Sequence, residues 1–131
     1  MIYTFGQEQL DQIENILNEE LVENGAHCVL LINMAGNIVA KKDNGKIDHD
    51  EHSLAALAAG NFGAVEAMAK IVGEQEFSLL FHKGKKESIH FSKIGDEFLM
   101  ITIFGKDISL GLLRLKVEEA IEKISKVWKR L

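Results

Sequence analysis

The sequence predicts an α+β (α/β sandwich-like) fold: a five-stranded, largely antiparallel sheet flanked by helices, in the order α-β-β-α-β-β-β-α. Three observations predict it. Segments 7–24 and 110–128 repeat apolar residues every three or four positions, the period of a helix with one buried face. Short runs of branched and aromatic residues, HCVLLI (27–32) and FLMITIF (98–104), are bounded by turn residues, as strands are. Short turn-like connections at 34–37, 83–86 and 92–97 join strand-like runs as hairpins, while the central helix separates the second run from the third.

Each element has its own signature. In 7–24, Leu10, Ile13, Leu17 and Leu21 share a face that Ile16 widens; the start lies near Thr4 or Gly6 and Asn24-Gly25 is the stop. HCVLLI reads as a central strand, Met34-Ala35-Gly36-Asn37 as a turn, and 38–40 as a second strand. The polar stretch KKDNGKIDHD (41–50) reads as an exposed loop. Asp50 is a better cap than Ser53 for the next helix, because the apolar pattern starts at Leu54 and Glu51 then sits in the first turn. That helix runs to about Val72 and stops at Gly73. Segment 77–82 is a strand, Lys83-Gly84-Lys85-Lys86 its turn, and 87–91 its return; 92–97, with Gly95-Asp96, is a second tight connection. In 98–104, Leu99, Ile101 and Ile103 alternate with Phe98, Met100, Thr102 and Phe104, so both faces are expected to be covered. The last helix opens at Leu110 or Gly111 and buries Leu113, Val117, Ile121, Ile124 and Trp128, with Glu118, Glu119, Glu122 and Lys123 on its wet side. Lys126, Lys129 and Arg130 come late, which suits the helix dipole.

The central helix, LAALAAGNFGAVEAMAKIVG over 54–73, is apolar or very small on nearly every side. Leu54, Leu57, Phe62, Val65, Met68, Ala69 and Val72 are expected to form a broad stripe against the sheet. Ala56, Gly60, Gly63 and Ala67 lie on another side, widened by Ala55, Ala59 and Ala64. A glycine inside a helix costs about 1 kcal/mol relative to alanine, so Gly60 and Gly63 need a compensating contact. Either a second helix, from another copy of the chain or a partner, lies in this trough, or the two glycines clear room against the chain's own sheet. A two-fold homodimer is the simplest closed arrangement.

A chain of 131 residues without repeats or low-complexity tracts is expected to form one domain over 1–131. Aromatics are 7%, so the core is mostly aliphatic. Fifteen basic against 20 acidic side chains give a net charge of -5, which disfavours nucleic-acid binding. The single cysteine, Cys28, excludes an internal disulfide framework and a thiolate metal cluster. The N-terminus lacks the pattern of a signal peptide, and the uncharged run over 53–65 is too short to span a bilayer, so a cytoplasmic location without stable membrane insertion is expected.

Little points to catalysis. His49 and His52 stand three apart in an acidic loop, but this is not the helical His-Glu-x-x-His pattern, and a charged loop explains it more simply than a metal. Cys28 in an apolar strand reads as a buried, inert thiol. His27 and His90 face opposite ways on their strands, with no serine or cysteine partner and hence no triad. No phosphate-binding glycine loop is present, so no cofactor, metal or bound nucleotide is expected. Lys83, Lys85 and Lys86 gather on a hairpin tip, with Lys41, Lys42 and Lys46 a second patch; solvation is the plainer reading, anion or membrane binding the other.

Three segments in order, HCVLLINMAGNIVAKK, the Ala-Ala-Gly-Asn-Phe-Gly-Ala stretch of the central helix, and FLMITIFGKDISLGLLRLKVEEA with its Ser109-Leu110-Gly111 and Arg114, resemble roadblock/dynein-light-chain domains. Among these, the chain is most similar to MglB-like prokaryotic regulators of cell polarity. The resemblance implies a roadblock/profilin-like fold and a homodimer in which two sheets join edge to edge and two central helices lie side by side. The implied dimer interface is Leu54, Ala56, Ala59, Gly60, Gly63 and Ala67, with Phe77 and Leu79. It also implies a partner: a Ras-like (MglA-like) small GTPase, whose hydrolysis such dimers speed by reshaping its switch segments without donating an arginine. Carried over, that surface is Ala59, Phe62, Gly63, Glu66, Ala67 and Lys70. Glu66 and Lys70 are spaced as a helical ion pair, and Arg114 is poorly placed as an arginine finger. The chain ends three residues past Trp128, so regulation by a long flexible C-terminal segment is not expected. The function implied is a non-enzymatic regulator of GTP hydrolysis; the alternatives are a structural adaptor that ignores nucleotide state and, last, a sensor with a polar-lined cavity.

Overall fold

The computed structural model describes residues 5–46, 48–75 and 80–128. The first helix, α1 (Gln7–Glu20), starts at Gly6, whose N–H donates to Gln9 Oε1 at 2.8 Å. Thr4, the other proposed start, lies outside the described residues. The helix ends sooner than its apolar pattern suggests. After Glu20 the chain tightens into a single 3-10 turn, Val22–Asn24, and Asn24 Nδ2 donates to the carbonyls of Glu19 and Glu20 (3.1 and 2.9 Å). A side-chain amide thus satisfies carbonyls that a helix end leaves open.

Strands β1 (Ala26–Asn33) and β2 (Ile38–Asp43) form an antiparallel hairpin. β2 corrects the sequence reading: Lys41, Lys42 and Asp43, expected in a loop, pair with Leu30, Val29 and Cys28. The strand lies at the edge of the sheet, where charged side chains face water, and its polarity hides it. Helix α2 (Glu51–Ile71) follows, then β3 (Leu80–Lys83), β4 (Ser88–Ile94), β5 (Phe98–Phe104) and α3 (Leu110–Trp128). The five strands are ordered β2-β1-β5-β4-β3 and every neighbour pair is antiparallel. β4 also outruns its expected end: Ser92 and Lys93 still pair, with Met100 and Leu99. Phe77 and Leu79 of the expected third strand, Ile47, and the late charges Lys129 and Arg130 lie outside the described residues.

The sheet carries a core on each face. Val29, Leu31, Met100 and Phe104 point to one layer, beneath Ile13 and Leu17 of α1 and Leu113, Val117 and Ile124 of α3. Cys28, Leu30, Ile32, Leu99, Ile101 and Ile103 point to the other, beneath α2. All seven residues of β5 are buried, so both of its faces are covered as expected. Phe98 joins Phe5 and Trp128 (ring centroids 5.9 and 5.1 Å), which ties the start of the described chain to the end of α3.

Candidate functional site: the outward face of the central helix

Helix α2 is fixed at both ends. Asp50 caps it as expected: Oδ1 accepts from Ser53 N–H (3.1 Å) and Oδ2 from Ser53 Oγ (2.7 Å). Glu51 in the first turn pairs with Lys41 of β2 at 3.2 Å. At the far end Gly73 adopts φ +89°, and Glu74 N–H donates to the Ala69 carbonyl at 2.8 Å. Near the start, the β1–β2 turn presses on the helix backbone. Gly36 sits at φ +89°, and a Cβ there would come 2.9 Å from Ala56 Cα, so only glycine fits.

The orientation of the helix corrects the expected stripe. The residues buried on the sheet are Ala55, Ala58, Phe62 and Ala69. Leu57, Met68 and Val72, expected on that face, are 73%, 53% and 67% exposed, and Ile71 is 83% exposed; Leu54 and Val65 are half-buried. The physical reason is close approach. Ala55, Ala58 and Ala69 let the helix backbone lie close over the sheet, with Phe62 the large side chain fully turned beneath it and Leu54 packed at its edge.

At 100° per residue, Gly60, Ala64, Ala67 and Ile71 fall opposite Phe62 and Ala69. They form an outward trough, with Leu57 and Met68 as a ridge along one side and Gly63 along the other. A Cβ built on Gly60 or Gly63 meets nothing within 4 Å. The two glycines therefore do not clear room against the chain's own sheet, and that reading is set aside.

The residues expected at a dimer seam separate by exposure. Ala56, Gly60, Gly63 and Ala67 are exposed, Leu54 and Ala59 are half-buried, and Phe77 and Leu79 lie outside the described residues. Of those expected at a partner surface, Gly63, Ala67 and Lys70 face outward, Ala59 lies on the rim, and Phe62 turns down onto the sheet. Glu66 is half-buried, and its Oε2 accepts from Lys93 Nζ of β4 at 3.1 Å rather than from Lys70. That hydrogen bond raises the Lys93 pKa, against the opposing effect of burial. The trough itself is free of ionised groups; charge stands only at its rim. Sequence reasoning missed Leu57, Met68 and Ile71 as outward residues. No local signal separated them: small residues recur at three and four both in the inner set Ala55, Ala58, Phe62 and in the outer set Ala56, Gly60, Gly63 and Ala67.

The remaining candidates sit elsewhere. Burial pushes the Cys28 thiol up to about 12, so it is unreactive at neutral pH. Among the described residues no group of three or more His, Cys, Asp or Glu is placed to hold a metal ion. His49 Nε2 instead lies 3.1 Å from Glu87 Oε1. His27 is the extra residue of a bulge between Ala26 and Cys28, and the bulge turns its ring toward two carboxylates: Nδ1 lies 3.0 Å from Glu87 Oε2 and Nε2 2.9 Å from Asp107 Oδ2. The hydrogen bond to Glu87, with the one to Asp107, raises the His27 pKa. His90 is buried, and burial lowers its pKa to about 4. Arg114 is exposed on α3, across the sheet from α2.

By length and composition α2 is also apolar enough to cross a bilayer, although its inner side roofs the second core. In its three-dimensional course the chain is similar to the gliding protein MglB of Thermus thermophilus: 27% identity over 99% of this chain and 97% of that one, with a TM-score of 0.86. The Myxococcus xanthus MglB structure is 28% identical over 98% and 96% of the two chains, again with a TM-score of 0.86. An uncharacterized protein of Aquifex aeolicus (strain VF5) is 22% identical over 130 residues, 98% of this chain and 80% of that protein. The antiparallel sheet and its flanking helices are those of the roadblock/profilin-like fold, as the sequence predicts. The family model described as Roadblock/LC7 domain matches residues 12–104, most of the sequence, and the chain belongs to that family.

Proposed function

We propose that the protein is a non-enzymatic homodimer that binds a Ras-like, MglA-like small GTPase through its paired α2 helices and modulates GTP hydrolysis by reshaping the partner's switch regions. The observation that carries this reading is the outward face of α2: an apolar trough with open space over Gly60 and Gly63. Two such helices can approach until their backbones nearly touch. Fully burying a large aliphatic side chain contributes about 1.5–3 kcal/mol, so Leu57, Met68 and Ile71, counted from both copies, offset a substantial part of the cost of association. β3 stands at the sheet edge, and in this reading it continues across the two-fold axis with Phe77 and Leu79 at the seam. The likeness to two MglB structures over nearly the whole chain supports the choice of partner.

A trough without ionised groups has no chemistry of its own to offer GTP. Its effect on hydrolysis is conformational: the dimer selects one arrangement of the partner's switches. Lys70 and the rim around Ala59 and Glu66 would set the register of the partner, which acts in the cytoplasm. The test has two stages. Sedimentation equilibrium should give a dimer for the natural chain and a folded monomer for Gly60→Leu. GTP turnover by the cognate GTPase should then rise with the natural chain and not with the variant. A Gly60→Leu chain that remains a dimer would overturn the seam. Equal binding to the GTP and GDP forms with unchanged turnover would replace regulation by scaffolding through the same surface.

A further inference from the structure

The other layer of the molecule carries a feature that the α2 surface does not use. Between the β3–β4 turn and the start of α3 lies a cleft of about 270 Å³, lined by Lys83, Lys85, Lys86 and Lys106. Its floor is the stacked pair Phe81 and Phe104, with ring centroids 5.7 Å apart and planes 23° from parallel. Leu110, the first residue of α3, borders it, so the positive end of a helix dipole adds to the four cations.

Four lysines converging on one cleft is unexpected for a chain of net charge -5. All four ammonium groups are free of ion pairs among the described residues, as are the scattered Lys42, Lys46 and Lys70, whereas Lys41, Lys93, Lys116, Lys123 and Lys126 each have a carboxylate. The two acids beside the cleft in sequence, Glu87 after Lys86 and Asp107 after Lys106, are drawn away onto His27, at 3.0 and 2.9 Å. His49 takes the second oxygen of Glu87 at 3.1 Å. When protonated, the His27 imidazole donates to both carboxylates, from Nδ1 to Glu87 and from Nε2 to Asp107. Gly105 permits this arrangement: a Cβ there would come 2.8 Å from His27 Cε1 and 3.1 Å from the Lys86 carbonyl.

We propose that this cleft binds a phosphate monoester, the head of a small phosphorylated molecule or of a lipid, through Lys83, Lys85, Lys86 and Lys106. Such a group carries about -1.5 to -2 charges near pH 7 and three acceptor oxygens, a match for several ammonium groups arriving from two separate loops. A cleft of this size accepts one such group and not a polyphosphate backbone. It lies on the α1 and α3 side of the sheet and would leave the α2 trough free, sharing with the proposed seam only strand β3, through Phe81 and Lys83.

The test uses the full chain. On titration with inorganic phosphate, amide resonances of Gly84, Lys85, Lys86, Gly105 and Lys106 should shift and saturate. The double variant Lys86→Gln/Lys106→Gln should weaken that binding about tenfold or more, the equivalent of ~1.4 kcal/mol, while Lys42→Gln/Lys46→Gln, an equal change of charge elsewhere, should not. Should the first double variant fail to fold, the natural chain decides by salt: shifts confined to these residues that fade as ionic strength rises support the site. In a second arm, flotation with phosphatidylcholine vesicles containing phosphatidic acid, but not with phosphatidylcholine alone, identifies a lipid source; saturable phosphate shifts without flotation identify a soluble one. Absence of shifts and of flotation, or equal weakening in both double variants, overturns the proposal.

Discussion

The two layers covering the sheet are built on opposite plans. On the α1 and α3 side, large side chains from both partners interlock: Ile13, Leu17, Leu113 and Ile124 are fully buried. On the α2 side the helix meets the sheet mainly through alanines and keeps its large residues, Leu57, Met68 and Ile71, in water. The first plan places apolar surface inside the chain. The second reserves it for something outside. Stability should therefore reside mostly in one layer and association in the other.

That division can be broken by substitution. Leu17→Ala removes a fully buried side chain between α1 and the sheet and should cost ~2–5 kcal/mol, read as a lower urea midpoint. A loss below ~1 kcal/mol would mean that the α1 and α3 layer is not the main store of stability. Acidity probes the same layer. His90 alternates onto it beside Ile94, and its folded pKa of about 4 lies below the ordinary 6.5. The unfolded chain then binds the extra proton, so stability is full above pH 6.5 and falls as pH drops toward 4, by up to about 3 kcal/mol. His90→Gln should flatten that acid limb in urea melts taken across the range. His27 has the opposite sign: its raised pKa gives stability that is full below about 6.5 and is lost as pH rises through the folded value.

The outer layer should respond differently. Gly60→Leu meets open space within the chain, so the monomer should hold its stability or gain up to about 1 kcal/mol from helix propensity. The proposed dimer should weaken by about tenfold or more in dissociation constant, followed by sedimentation. Thr102→Val sharpens the contrast from inside. The buried Thr102 hydroxyl has no hydrogen-bond partner among the described residues, so its removal should stabilise by ~1 kcal/mol in thermal melts. The smallest effect belongs to Leu57→Ala, within ~0.5 kcal/mol for the monomer at low concentration.

Element order, the Asp50 cap, the Gly73 stop and the covered faces of β5 were legible because each rests on local chemistry. Periodicity told α1 and α3 which side to bury. It failed for α2 because a helix apolar all round has no preferred direction in its own sequence; only the height at which it lies over the sheet decides, and that height is set by Ala55 and Ala58. The charged end of β2 was hidden because an edge strand tolerates lysines that a loop also carries. The small-residue trough was legible as a set of positions but not as to which of its neighbours face water. The lysine cleft was half legible: Lys83, Lys85 and Lys86 are adjacent in sequence, but Lys106 joins them only through pairing of β4 with β5. The withdrawal of Glu87 and Asp107 onto His27 spans 60 and 80 residues and leaves no local trace.

The contact between Gly36 and Ala56 sets the pitch of the whole outer layer. A hairpin tip leans there on one end of a 21-residue rod. Glu51 is tethered to Lys41 on the same hairpin, while Ala69 holds the far end of the rod on the sheet. Diversification of that four-residue bend therefore has to be matched at Ala56 on the rod, because the hairpin tip and the helix backbone share one narrow contact.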